Sequence, residues 1–215
     1  MTVEELLRLY RVEVADLEVP PFIDDLTVVS YIDDAQKMFC RLTYGIEATR
    51  GFHITLRTGE AWYKLPAGVL DLREAWLDGR PLDIVPMECM RDRGLRLQEL
   101  PDGWLRALIT GLEKNTVRLP APAGAELNGQ RITLSVYRLP TPIETVSDEL
   151  EIDEQHHQHL LLWVKYRAYD NHDAEMFNRR KADEYEARFR AYCAQAKDEQ
   201  NRAYHPAGFI AYGGY

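Results

Sequence analysis

The sequence predicts an α+β protein: mainly a helical bundle, built from an N-terminal helix and a C-terminal helical hairpin, with an inserted antiparallel β-module of sandwich or barrel type. Three observations predict it. Residues 2–43 carry apolar side chains three and four apart, the period of a helix face. Residues 51–140 alternate apolar and polar residues in short runs between turn signals. Residues 152–203 return to the helical period. The helical pieces at the two ends must each bury a stripe, and packing on one another achieves this. Four segments follow: 1–50, the first part of the bundle; 51–147, the inserted β-module; 148–203, the hairpin; and 204–215, an extended tail rich in aromatics and glycine.

The elements follow in chain order. Leu6, Leu7 and Tyr10 form a short apolar face that Pro20-Pro21 interrupts. Val28, Ile32, Ala35, Phe39 and Leu42 make the stripe of a second helix, with Thr27 as its expected N-cap and Asp24-Asp25 near its positive end. Gly45 stands just past it, where a helix can end in a left-handed conformation. Phe52, Ile54 and Leu56 alternate as a half-buried strand. Ala61–Leu65 and Val69–Leu77 follow as strands, and Asp78-Gly79 signals a hairpin returning through Leu82 and Ile84. Pro86–Arg93 reads as a helical turn ended by Gly94. Trp104–Ile109 and Thr116–Leu119 read as strands, Asn128-Gly129 as a tight turn, and Ile132, Leu134 and Val136 as the clearest strand of all. Pro140 and Pro142 mark the exit. Acidic residues from Asp148 to Glu154 precede a helix with the buried face Leu160, Leu161, Trp163, Val164 and Ala168. Asp173 is the expected cap of a last helix over 174–203, roughly 45 Å long, whose stripe includes Phe177, Tyr185, Phe189 and Tyr192. The short connector makes the two helices an antiparallel hairpin.

Length and charge narrow the functional classes. The 215 residues fill one large domain or two small ones. With 26 basic and 35 acidic side chains, the net charge is −9, against a general nucleic-acid binder and its basic stripe. The three cysteines, Cys40, Cys89 and Cys193, are odd in number and form no C-x-x-C pair, the pattern of a reduced compartment. No run approaches the roughly 18 apolar residues of a membrane span, and the acidic, amphipathic start MTVEELLRLY is unlike a signal peptide.

The search for chemistry yields little. Gln155-His156-His157-Gln158-His159 places His156 and His159 on one helix face. A helical zinc site favours H-x-x-x-H with an associated Glu and a third ligand; the spacing here is H-H-x-H, so a solvated or interfacial helix turn is preferred to a metal site. Asp33-Asp34 and Asp24-Asp25 are adjacent on the helix and point about 100° apart, which suits surface or interface ion pairs better than acid–base catalysis. No glycine-rich phosphate loop or nucleophile elbow occurs. Cys40 reads as a packed thiol, and Arg179-Arg180-Lys181 as a helix surface or subunit contact. No catalytic residue, metal ligand or cofactor is assigned. The tail is different: Phe209, Ile210, Tyr212 and Tyr215, uncharged and spaced by glycine, suit either folding back on the bundle or docking a partner in extended form.

The order and spacing of several segments resemble the head-to-tail adaptor, or connector, proteins of tailed bacteriophages. These segments are Tyr10–Asp16 (YRVEVAD), Tyr31–Arg41 (YIDDAQKMFCR), Glu60–Leu65 (EAWYKL) with Pro66, Ala75–Leu82 (AWLDGRPL), Ser135–Pro140 (SVYRLP) and Ile152–Tyr169, which holds His157 and the run LLLWVKYRAY. The chain departs from the pattern at Asp153, where Pro is expected, and in the GFIAYGGY ending.

The resemblance implies a structural virion protein rather than an enzyme. Such adaptors form a homo-oligomeric ring, usually a dodecamer, docked under the portal protein after DNA packaging. The ring extends the channel through which DNA passes without sequence-specific binding, and presents a surface to the next tail or nozzle protein. The implied location is the virion neck, after synthesis in the bacterial host cytoplasm, with no membrane involved. On this reading the tail residues Phe209, Ile210, Tyr212 and Tyr215 are candidates for portal docking. The alternatives are another neck or tail ring, tail-completion or nozzle-side, and a small metal-dependent enzyme using His156 and His159.

Overall fold

The computed structural model describes residues 1–92, 106–172 and 176–204. It is α+β and divides into two compact units, one of residues 1–45 with 140 onward and one of residues 46–139.

The first unit is helical. Helix α1 (Val3–Val14) opens with a reciprocal cap: Thr2 Oγ1 accepts from Glu5 N at 3.2 Å, and Thr2 N donates to Glu5 Oε2 at 2.9 Å. It buries Val3, Leu6, Leu7 and Tyr10 and ends at Ala15 in a left-handed conformation. Helix α2 (Asp25–Leu42) buries the expected stripe of Val28, Ile32, Ala35 and Phe39. Its N-cap is Asp24 rather than Thr27: the Asp24 carboxylate accepts from Thr27 N at 2.9 Å and from Thr27 Oγ1 at 2.6 Å. Thr27 spends its hydroxyl as a donor to the cap, so the helix begins earlier. Gly45 is left-handed at φ 78°, but the helix has already closed at Thr43.

Helices α4 (Glu154–Asp170) and α5 (Arg179–Tyr204) run antiparallel. Tyr169 stacks on Tyr185, Trp163 meets Phe189, and His159 stacks on Tyr192, so partners descend along one helix as they rise along the other. The expected start of α5 near residue 174 is corrected to Arg179. Asn178 supplies the cap, accepting from Lys181 N at 3.1 Å on its side chain and from Ala182 N at 3.0 Å on its carbonyl. Asp173 lies outside the described residues, as do Gly94, Gly103 and Trp104. At about 1.5 Å per residue the 26 residues of α5 span about 39 Å. Helix α4 packs against α5, α2 and α1. The chain entering α4 is strapped to the start of α1: Val3 N donates to Asp148 O at 3.2 Å and Glu4 N to Val146 O at 3.0 Å.

Among the described residues the second unit holds seven strands, one short α-helix and a 3-10 turn at Ala125–Leu127: β1 (Ile46–Thr55), β2 (Trp62–Lys64), β3 (Val69–Leu77), β4 (Arg80–Pro86), α3 (Met87–Asp92), β5 (Ala107–Thr110), β6 (Thr116–Arg118) and β7 (Arg131–Arg138). They form one curled sheet, a half-barrel, in the order β1-β7-β3-β4-β5-β6-β2. The expected barrel-like module takes the form of this half-barrel, and the wholly antiparallel pairing expected of it is corrected at one place. Strands β4 and β5 pair in parallel, Ile84 beside Leu108, because the chain between them is long enough for a crossover and carries α3. Side-chain alternation is the same in both directions, so the sequence pattern did not reveal this. Strand β1 also begins before the Phe52 run. Its register shifts between Ala48 and Phe52 where Gly51 sits at φ 89°, which hides the alternation of its first half. The hairpin turn signalled by Asp78-Gly79 forms with both residues left-handed, and Asn128-Gly129 turns with Gln130 N donating to Leu127 O at 3.0 Å. Ile54, Leu56, Leu72, Leu82, Leu108, Val117, Ile132, Leu134 and Val136 belong to one hydrophobic core.

Candidate functional site

The residues that the sequence analysis singled out converge on the helical unit, where they link helices. His156 is 5% exposed, with its ring centroid 4.7 Å from that of Phe39 and its Nδ1 sharing a hydrogen bond of 2.7 Å with the Tyr192 hydroxyl. His159 lies flat on the other side of the same residue, with ring centroids 3.7 Å apart and planes within 1°. Tyr192 of α5 therefore occupies the space between the two histidines. Burial holds His156 below its ordinary pKa of 6.5 and raises that of the Tyr192 phenol. His157 points elsewhere, its Nε2–H donating to Ile152 O at 2.8 Å. The three side chains diverge, and among the described residues no group of three or more His, Cys, Asp or Glu is placed to hold a metal ion.

The two acidic pairs of α2 also separate. Asp34 Oδ2 accepts from Trp163 Nε1 at 2.8 Å and from Arg167 Nη1 at 2.6 Å, tying α2 to α4. Asp33 Oδ1 accepts from Ile143 N at 3.0 Å, while its other oxygen pairs with Lys37. Gln36, 1% exposed, donates to Thr141 O at 3.2 Å. One turn of α2 thus grips both α4 and the segment that leads to it.

The segment Tyr10–Asp16 has a comparable role that no periodicity announced. Arg11 pairs with the buried Asp16, donates to Ile23 O at 2.5 Å and to Asp25 Oδ1 at 2.6 Å, while Phe22 N donates to Asp16 Oδ1 at 3.0 Å. This node fixes the connector between α1 and α2. Lys165 of α4 pairs with Glu13 and holds its ammonium 5.2 Å from the centre of the Tyr185 ring. The only sequence signal for either was a charged residue standing on or beside an apolar stripe.

The remaining candidates are resolved individually. Cys40 and Cys193 are buried, and burial pushes the Cys193 thiol up to about 12. Such a thiol is packed rather than reactive. Of the basic run, Arg179 pairs with Asp170 at 2.6 Å and Asp183 at 3.0 Å, and Lys181 lies 4.9 Å from the centre of the Tyr169 ring. In the β-unit, a cleft of about 440 Å³ opens between the edge strands β1 and β2, lined by His53, Thr55, Trp62 and Lys64. No helix among the described residues is long and apolar enough to cross a membrane. Phe209, Ile210, Tyr212 and Tyr215 lie outside the described residues.

The arrangement is one of ties between elements: His156, His157, Asp33, Asp34 and Gln36 each bond to another part of the chain. In comparison with known protein families, the model described as SU10 adaptor protein matches residues 1–208. The match stops short of Phe209, so the aromatic ending stands beyond it. No curated protein matches the chain.

Proposed function

The chain belongs to the SU10 adaptor protein family, and on that premise we propose that it is the head-to-tail adaptor of a tailed bacteriophage. Copies of it form a ring, twelve-fold, in the virion neck. The ring docks under the portal, extends the DNA channel and presents its other face to a tail or nozzle protein. The observation that carries this reading is the family match over nearly the whole chain. The internal engagement of the histidines, Asp33 and Asp34 supports a role of shape rather than bond-making. Charge supports it as well. A net −9 per chain, multiplied around a ring, repels phosphates and lets DNA slide, the reverse of the charge neutralisation that drives binding.

Within this reading the inserted segment 51–147 and the helical segments 1–50 and 148–203 have separate tasks. The helical segments build the wall, and the β-module supplies a second surface. The tail 204–215, through Phe209, Ile210, Tyr212 and Tyr215, anchors the ring on the portal. Many weak tail contacts joined by one ring act with a high effective concentration. Electron microscopy of the full chain mixed with purified portal rings tests the assignment. Added density coaxial with the portal is expected; portals left bare at saturating protein would reject it.

A further inference from the structure

Five of the nine large apolar side chains that stand exposed among the described residues fall within residues 12–26: Val12 at 65%, Leu17 at 70%, Val19 at 96%, Phe22 at 47% and Leu26 at 77%. Single exposed apolar residues are ordinary, but a concentration on one connector marks a partner surface. The Arg11–Asp16–Asp25 node and the bond from Phe22 N to Asp16 brace this connector. A surface fixed in advance loses little freedom when it is covered.

Its charge indicates the occupant. Of the five carboxylates in residues 12–26, Arg11 answers Asp16 and Asp25 and Lys165 answers Glu13, so the exposed Glu18 and Asp24 give the surface its acidic charge. Two such surfaces face to face would juxtapose like charges, so a twofold contact is disfavoured. The fitting partner is basic with an apolar element, and the chain itself carries one. At the start of α5 Arg179 is held by Asp170 and Asp183, and the exposed Arg180 and Lys181 stand beside Phe177 at 40% exposure.

The two surfaces are also suitably placed. Helices α1 and α5 each pack against both α2 and α4, so they flank that pair. The Lys165 ammonium of α4 pairs with Glu13 and lies 5.2 Å from the centre of the Tyr185 ring, which puts the end of α1 and the Tyr185 turn of α5 at one level along α4. Patches at one level on different flanks give a contact that repeats by rotation without a rise, as a closed ring requires.

We propose that the connector 12–26 of one copy docks on the start of α5 of a second copy, around Phe177 and Arg180, and that this is the lateral contact of the ring. The inference rests on the ring reading and names its interface. Sedimentation velocity of the full chain over a concentration series tests it, with circular dichroism confirming that each variant keeps its helices. Leu17→Asp with Val19→Asp, both at exposed positions, is expected to leave a folded monomer. Glu18→Lys alone and Arg180→Glu alone are each expected to weaken association by about tenfold, and the two together to restore most of it. If the wild type assembles and the Leu17→Asp/Val19→Asp chain assembles equally well, the docking is overturned and the ring reading stands. Failure of the paired charge reversal to restore association overturns the α5 partner. A wild type that stays monomeric at every concentration and adds no ring to purified portals overturns both.

Discussion

Asp16 shows how much one buried charge can carry. It is 1% exposed and answers both Arg11 and the Phe22 amide. Removing it leaves the part-buried Phe22 amide without its acceptor and takes one of the two carboxylates that hold Arg11, at a cost of roughly 1–3 kcal/mol. Asp16→Ala should therefore lower the urea midpoint markedly, and by loosening the connector it should also weaken self-association. Its neighbour Tyr10 offers the contrast. The Tyr10 hydroxyl is buried with no hydrogen-bond partner among the described residues, and burial raises its pKa. Tyr10→Phe removes a group that is desolvated without compensation, so stability should hold or rise in the same titration. His156 gives a pH dependence. Burial lowers its folded pKa below the unfolded value, with Asp153 and Glu199 opposing and His159 and His157 adding to the shift. The unfolded chain therefore binds the proton first. Stability is complete above 6.5 and declines as pH falls through that value. The urea midpoint is expected to drop between about pH 7.5 and about pH 5.5, and to drop less in His156→Gln. Equal shifts in the two proteins would remove His156 as the cause.

At the scale of elements, boundaries are decided by single polar residues. Asp24 outcompetes Thr27 for the start of α2, and Asn178 starts α5 five residues after the point that periodicity suggested. Apolar spacing identifies a helix face but is indifferent to which hydroxyl or carboxylate takes the first free amides. Turns are more legible, because backbone sterics leave few residues able to adopt them. Gly79 at φ 73° has open space where a Cβ would sit. Gly79→Ala should therefore cost only the left-handed penalty, about 1 kcal/mol, read as a lower melting temperature with the native spectrum kept. A loss of β-structure would mean that the turn directs the pairing of β3 with β4. The strand β1 was half legible: Phe52, Ile54 and Leu56 alternate cleanly, whereas the shift at Gly51 breaks the pattern for Ile46 and Ala48.

At the scale of the molecule, the candidate site was readable as a set of residues but not as a geometry. The histidine turn was visible at 156–159, while the side chain that separates His156 from His159 is Tyr192, thirty-six residues from His156. For the tail, the adaptor reading makes a plain prediction. Deleting residues 206–215 should leave folding and the number of subunits in the ring unchanged and should abolish or strongly reduce co-sedimentation with portals. Unchanged attachment would remove the tail as the anchor.

The sequence by itself determined the α+β class, the order of elements, the hairpin turns, the acidic balance and the family, because each rests on local period, backbone sterics or composition. Only the tertiary structure decided the rest. It made one curled mixed sheet with a parallel pair, set Tyr192 between two histidines, sent Asp33 and Asp34 to different partners, and left the 12–26 connector braced yet uncovered. Those outcomes depend on which distant groups meet and in which direction strands run. Hydrophobic burial is non-directional and alternation is blind to strand polarity, so neither is written in any local pattern.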